Sequence, residues 1–187
     1  MSLDDPRAAA ARTIRAVSAG ESLERALDAY RDHSERALIF ELSYGVLRHW
    51  FSLSEWLDSA NYEKPLRKKD LDVYCLILVG RYQLQNSSIA NYAAVNLTVE
   101  AARHLDKGWA CGLVNSVLRT PKKSVQPSIE ARFEAPSWLI QSIQRHYPES
   151  AEKNSTSEQH PRSHDLTSQS EPANRQNLLL MFSGITA

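Results

Sequence analysis

The sequence has little glycine, little cysteine and no net charge, and each shortage excludes a class of protein. Six glycines in 187 residues suit helices better than a turn-rich β protein. Two cysteines, Cys75 and Cys111, exclude a disulfide scaffold and fit a reducing compartment. Because 22 basic residues balance 22 acidic ones, any basic surface for nucleic acid must be local.

We also expect neither a secretory leader nor a membrane span. The segment MSLDDPRAAAARTIRA places acids before its arginines and has no continuous apolar core. The longest apolar run, residues 74–79, is far shorter than the ~20 residues that a spanning helix needs. We therefore expect a cytoplasmic protein.

Motifs for catalysis or metal binding are missing as well. The sequence contains no HExxH, no paired Cys-x-x-Cys, no glycine-rich phosphate loop and no GxSxG. His160 and His164 have the spacing of metal ligands on a helix, but Pro161 between them argues against a helix. We expect no metal site, no cofactor in this chain and no active site of its own.

The pattern of apolar residues is helical throughout the first 150 residues, without the alternation of strands. Asp5 suits an N-cap, Pro6 the first helical position and Gly20 the stop of a first helix. Gly108 suits the C′ position of a later one. A long central region is predicted to bend near Ser52. About seven helices are predicted, at residues 6–19, 22–30, 34–60, 70–84, 90–105, 109–119 and 136–146.

The composition changes after Ser150. Residues 151–176 contain three apolar residues among Ser, Thr, Gln, Glu, His and Pro. Such a segment cannot bury enough apolar surface to order itself. The sequence therefore predicts an all-α bundle with a disordered tail over residues 151–187.

Positive charge concentrates in three places that could hold phosphates, because Lys and Arg side chains on one surface bind them. These are Arg7, Arg12 and Arg15; Lys64 with residues 67–69; and Arg119 with Lys122 and Lys123. The alternative is that these are solvated ends of helices and loops. Asn115, one turn before Arg119, either caps neighbouring backbone or faces RNA. The candidate RNA-binding residues are Arg7, Arg12, Arg15, Lys68, Lys69, Asn115, Arg119, Lys122 and Lys123.

Three segments together resemble the NusB-type helical domain: RALIFELSYGVLRHW, LDVYCLILVGRYQL and NYAAVNLTVEAARHLDKGWACGLVNSVLR. That fold occurs in a transcription antitermination factor and in the N-terminal part of bacterial small-subunit (16S) rRNA cytosine-5 methyltransferases. ELSYGVLR, GLVNSVLR and APSWLIQSIQRHYPES resemble the methyltransferase branch. The resemblance implies a NusB-like RNA-binding domain over residues 1–125 and a linker helix over 126–150.

The resemblance also implies a partner, ribosomal RNA, and a chemistry that this sequence does not carry. After Glu149 the family continues into an S-adenosylmethionine-binding α/β domain with a catalytic cysteine, whereas here a polar segment follows. We expect the chain alone to bind RNA weakly at most and to transfer no methyl group, as a truncated or frameshifted product would. The rival interpretations are a stand-alone antitermination factor and a helical protein-docking module.

Overall fold

A computed structural model describes residues 5–60, 68–120 and 126–146. The first helix, α1 (Pro6–Ser18), begins at Asp5, whose carboxylate accepts hydrogen bonds from the N–H groups of Arg7 and Ala8 at 2.8 and 3.3 Å. It ends at Ser18, and Gly20, two residues later, has a φ of 97° that lets the chain turn back on the helix. Both predicted ends of α1 are confirmed.

Helix α1 lies inside the bundle, against α2 (Leu23–Asp28), α3 (Arg36–Arg48), α5 (Leu71–Asn86) and α6 (Asn91–His104). Its four consecutive alanines, residues 8–11, are fully buried. Alanine side chains are small enough for neighbouring helices to approach α1 closely on several sides.

The predicted central helix is two helices, α3 and α4 (Trp50–Ser59). The break lies at His49, and the prediction of a bend near Ser52 was three residues late. At the break, Oε2 of Glu134 accepts hydrogen bonds from the N–H groups of Phe51 and Ser52 at 3.1 and 3.3 Å. These donors have no partner within α4 because they lie in its first turn. A distant carboxylate therefore stabilises the start of α4.

Helix α5 forms the centre of the core. All seven residues from Val73 to Val79 are buried, which confirms the prediction of a buried helix over this apolar run. A short 3-10 helix, η1 (Lys68–Asp70), precedes α5. A second one, η2 (Gly108–Ala110), precedes α7 (Cys111–Leu118).

The end of α6 differs from the prediction. The helix stops at His104, and Asp106, with a φ of 57°, takes the left-handed position that we assigned to Gly108. The N–H of Asp106 donates to the carbonyl of Arg103 at 3.0 Å, and that of Lys107 to the carbonyl of Ala102 at 2.9 Å. This is the bonding of a Schellman motif, which a short polar side chain tolerates without glycine.

Two helical glycines lie at close contacts between helices. A Cβ on Gly45 would fall 2.1 Å from Cζ of Tyr82, where α3 meets α5. A Cβ on Gly80 would fall 2.7 Å from Leu118 Cδ1 and 2.8 Å from Thr98 Cγ2, where α5 meets α6 and α7.

Residues after the last bundle motif pack against α4. The short helix α8 (Ile129–Phe133) was not predicted, whereas α9 (Ser137–His146) was. Oε1 of Glu55 in α4 accepts from the N–H of Ser128 at 2.9 Å, and Glu134 returns a carboxylate to the start of α4. These reciprocal bonds fix α8 on the bundle. That residues 126–150 begin a connection to another domain stays a prediction.

The all-α prediction is confirmed, since residues 5–60, 68–120 and 126–146 contain helices and no strand. Nine α-helices are present in these ranges instead of about seven, because the central region divides at His49 and α8 is added. The tail predicted over 151–187 lies outside the described residues.

Candidate nucleic-acid interface

Arg7, the first candidate on α1, lies inside the bundle. It is 5% exposed, and its Nε donates to Oε1 of Gln83 on α5 at 2.9 Å. Burial lowers the pKa of Arg7, against the opposing effect of the carboxylates of Asp5 and Glu35. The expectation that Arg7 meets RNA does not fit this position, because a buried guanidinium bonded to Gln83 cannot reach a phosphate.

Arg12 and Arg15 lie further along α1, where it passes other helix ends. Arg12 Nη2 donates to the carbonyl of His104 at 2.6 Å. That carbonyl belongs to the last turn of α6, where carbonyl groups have no partner within the helix and the helix dipole is negative. Arg15 Nη1 lies 3.9 Å from Oδ2 of Asp72 at the start of α5, and its side chain is half exposed.

Lys107, which the sequence analysis did not select, completes this group. Its Nζ lies 2.9 Å from Oδ1 of Asp70 and 3.5 Å from the carbonyl oxygen of Lys69. The hydrogen bond to Asp70 raises the pKa of Lys107, while the positive charge of Arg15 acts in the opposite direction. Lys107 thus joins the end of α6 to η1.

These contacts bring Arg12 and Arg15 of α1 close to Lys107 of the turn after α6. Exposed Lys69 of η1 is adjacent through its backbone, because its carbonyl oxygen lies 3.5 Å from Lys107 Nζ. We call Arg12, Arg15, Lys69 and Lys107 the α1–α6 edge. The carboxylates that pair with Arg15 and Lys107 are those of Asp72 and Asp70, which are buried, so the cations lie outward of their partners.

The remaining candidates lie elsewhere or outside the described residues. Arg119 Nε donates to Oδ1 of Asn115 at 2.9 Å, which joins two exposed or half-exposed side chains of α7. This bond fits the structural reading of Asn115. Of Lys68 the structure describes the backbone alone, and Lys122 and Lys123 lie outside the described ranges.

Other kinds of site are not found in the described part of the chain. Residues 5–60, 68–120 and 126–146 contain no group of three His, Cys, Asp or Glu side chains that could hold a metal ion. Within the same ranges, no helix combines the length and the apolarity that crossing a membrane requires.

Comparison with known families matches the bundle directly. The family model described as the NusB family matches residues 4–123, which is most of the nine-helix structure. The chain belongs to the NusB family. The match ends before α8, so the NusB domain supplies the α1–α6 edge and α7.

Curated relatives share this region and continue well beyond it. The chain is 40% identical over 121 residues to a probable ribosomal RNA small subunit methyltransferase B of Coxiella burnetii, covering 61% of the chain and 28% of the relative. It is 36% identical over 152 residues to the ribosomal RNA small subunit methyltransferase B of Citrobacter koseri, covering 76% and 35%. It is 35% identical over 156 residues to the protein of that name from Pseudomonas putida, covering 78% of the chain and 36% of the relative. The chain spans about a third of the length of these relatives.

Proposed function

We propose that this NusB domain binds ribosomal RNA and serves as the RNA-holding part of a small-subunit rRNA methyltransferase. The observation that carries the proposal is the α1–α6 edge, to which three separate elements contribute cations on a chain with no net charge. Lys and Arg heads fixed on a folded surface bind phosphate at low entropic cost, because their positions are set before RNA arrives.

The buried carboxylates of Asp70 and Asp72 hold two of these cations in place. Lys107 and Arg15 are each oriented by a carboxylate below them, while Arg12 is oriented by the carbonyl of His104. The side chain of Arg15 is half exposed, so guanidinium N–H donors beyond the one that faces Asp72 can reach a phosphate oxygen. The edge therefore positions RNA without reading its sequence.

The length of the similarity favours the methyltransferase branch over a stand-alone antitermination factor. The NusB match stops at residue 123, whereas the alignments with the Citrobacter and Pseudomonas methyltransferases extend over 152 and 156 residues. They therefore run past the NusB domain into the part of the chain that holds α8 and α9. A role on ribosomal RNA also agrees with the cytoplasmic location expected from the sequence.

Methyl transfer itself we assign to the portion of the relatives that this chain does not match. Attack on a cytosine ring by cysteine needs an accessible thiolate. Cys75 is fully buried and burial raises its pKa to about 12, while the half-buried Cys111 donates through Sγ to the carbonyl of Val99 at 3.5 Å. Neither thiol fits that role, and we assign no S-adenosylmethionine contact to these helices.

The test is a titration of fluorescent fragments of small-subunit rRNA with the 187-residue chain at several salt concentrations. Four phosphate contacts predict a slope of log K against log salt of about −3, at roughly 0.7 per phosphate for single strands. Lys69→Gln should reduce that slope by roughly 0.7 and weaken binding to all fragments alike.

The matched control is Arg145→Gln, which removes an exposed positive charge from α9 and should leave the slope unchanged. Binding to unrelated RNA as tight as to ribosomal fragments would reduce the proposal to general RNA binding. Absence of binding at low salt would refute it and favour the protein-docking interpretation.

A further inference from the structure

Trp109 is exposed beside the α1–α6 edge. It is 60% exposed, whereas Trp50 and Trp56 are 5% and 6% exposed and pack in the core. Trp109 lies in η2, two residues after Lys107, so their Cα atoms are at most about 7 Å apart. An aromatic ring of this size in water is unusual, since tryptophan is on average a highly buried residue.

The turn that carries Trp109 is fixed to the bundle. The N–H of Ala110 donates to the carbonyl of Lys107 at 2.7 Å, and Ala110 is fully buried. On the other side, Cys111 Sγ bonds to the carbonyl of Val99 on α6. The indole is therefore held on a rigid support, which lowers the entropic cost of stacking against it.

The neighbours of Trp109 along the chain are polar or small. His104, Asp106 and Gly108 are exposed, and Lys107 is bonded to Asp70. A ring flanked along the chain by charged residues differs from the contiguous apolar patch that docking of a protein requires. The combination of a flat ring with nearby cations is the one that binds single-stranded nucleic acid.

We propose that Trp109 is a stacking platform for an unpaired base of single-stranded RNA whose phosphates lie along the α1–α6 edge. The inference rests on the proposed RNA binding and specifies its substrate as unpaired RNA. Bases within a duplex already stack on each other and cannot offer a free face to the indole. The cations bind the RNA backbone, while the ring binds only single-stranded RNA with an unstacked base and not duplex RNA.

The test compares Trp109→Ala with Trp138→Ala, which removes a similarly exposed tryptophan (48%) from α9. The probes are a short oligouridylate and an RNA duplex of equal length. Loss of one stacked base predicts that Trp109→Ala weakens oligouridylate binding about 5- to 150-fold. The salt slope should be unchanged, because no phosphate contact is removed. Trp138→Ala should leave the affinity for oligouridylate unchanged within experimental error, and neither substitution should change the affinity for the duplex.

A second readout does not depend on the folding of the alanine variant at position 109. Oligouridylate should lower the tryptophan fluorescence of wild type and of Trp138→Ala by the same absolute amount, because Trp109 is present in both and Trp50 and Trp56 are buried. The duplex should quench neither.

The outcomes separate this inference from the proposed function. Salt-dependent RNA binding that Trp109→Ala leaves unchanged, or that quenches no fluorescence, would overturn the stacking platform and keep the RNA-holding domain. Quenching lost in Trp138→Ala would move the platform to α9 and overturn the inference. No binding by wild type would overturn both.

Discussion

Substitution by alanine should have opposite effects on the stability of the fold at Gly80 and at Gly112. At Gly80 the new methyl group would fall 2.7 Å from Leu118 Cδ1 and 2.8 Å from Thr98 Cγ2. At Gly112 no heavy atom outside the local helix lies within 4 Å. A glycine inside a helix is costly and often marks a close approach of two helices; this holds at Gly45 but not at Gly112.

The magnitudes follow from two competing effects. Alanine is more stable than glycine within a helix by up to about 1 kcal/mol. Overpacking a closely packed core costs about 1–3 kcal/mol. Thr98 cannot rotate away cheaply, because it is β-branched and its hydroxyl donates to the carbonyl of Ala94 at 2.7 Å. We expect Gly80→Ala to destabilise the fold by about 1–2 kcal/mol and Gly112→Ala to stabilise it by up to about 1 kcal/mol.

The assay is urea unfolding of the full chain followed by far-ultraviolet circular dichroism, with equal m-values as the sign that the unfolded state is unaffected. Gly80→Ala as stable as wild type would refute the close contact of α5 with α6 and α7. A Gly112→Ala variant less stable than wild type would refute the open position at the start of α7.

Three further predictions test other parts of the structure. Glu134→Ala removes the acceptor at the start of α4 and should lower the free energy of unfolding by about 1–2 kcal/mol, with Glu134→Gln intermediate; equal stability of all three proteins in urea would contradict this. Asp106→Asn removes an exposed negative charge beside Lys107 and suits the left-handed backbone. It should tighten RNA binding and leave the fold intact; weaker binding would count against the α1–α6 edge. At pH 8 a thiol reagent should modify Cys111 before Cys75, whose pKa burial raises to about 12; equal rates in the native protein would show that α5 is not enclosed.

The parts of the fold that were predictable from sequence are those whose signals are local. Asp5, Pro6 and Gly20 lie next to the helix ends that they determine, so α1 could be placed within a residue or two. The buried helix α5 could be predicted from its unbroken apolar run. By contrast, the break at His49 is stabilised by Glu134, which lies more than eighty residues away. No local pattern contains that contact.

The sequence predicts that the candidate site consists of cations, but not which cations form it. Lys69 and the α1 arginines are among the candidates predicted from the sequence, whereas Lys107 is not. Its place in the site depends on η1 returning beside the end of α6, where Asp70 meets its Nζ. Such a contact between distant segments follows from tertiary packing, which charge patterns along a chain do not encode.

Arg7 and Arg15 were both candidates because of their charge, but they lie in different environments on α1, one buried and one half exposed. Eight positions separate them, so they lie roughly 80° apart around the axis of α1. The angle around a helix predicts burial only where polar and apolar residues occupy different faces, and the alanines of residues 8–11 provide no such contrast. On α1 burial also varies along the axis: residues 6–11 are buried on all sides, and exposure begins towards the C-terminal end. Arg15 therefore reaches the surface where Arg7 cannot, and the cationic site forms at the end where α1 leaves the core.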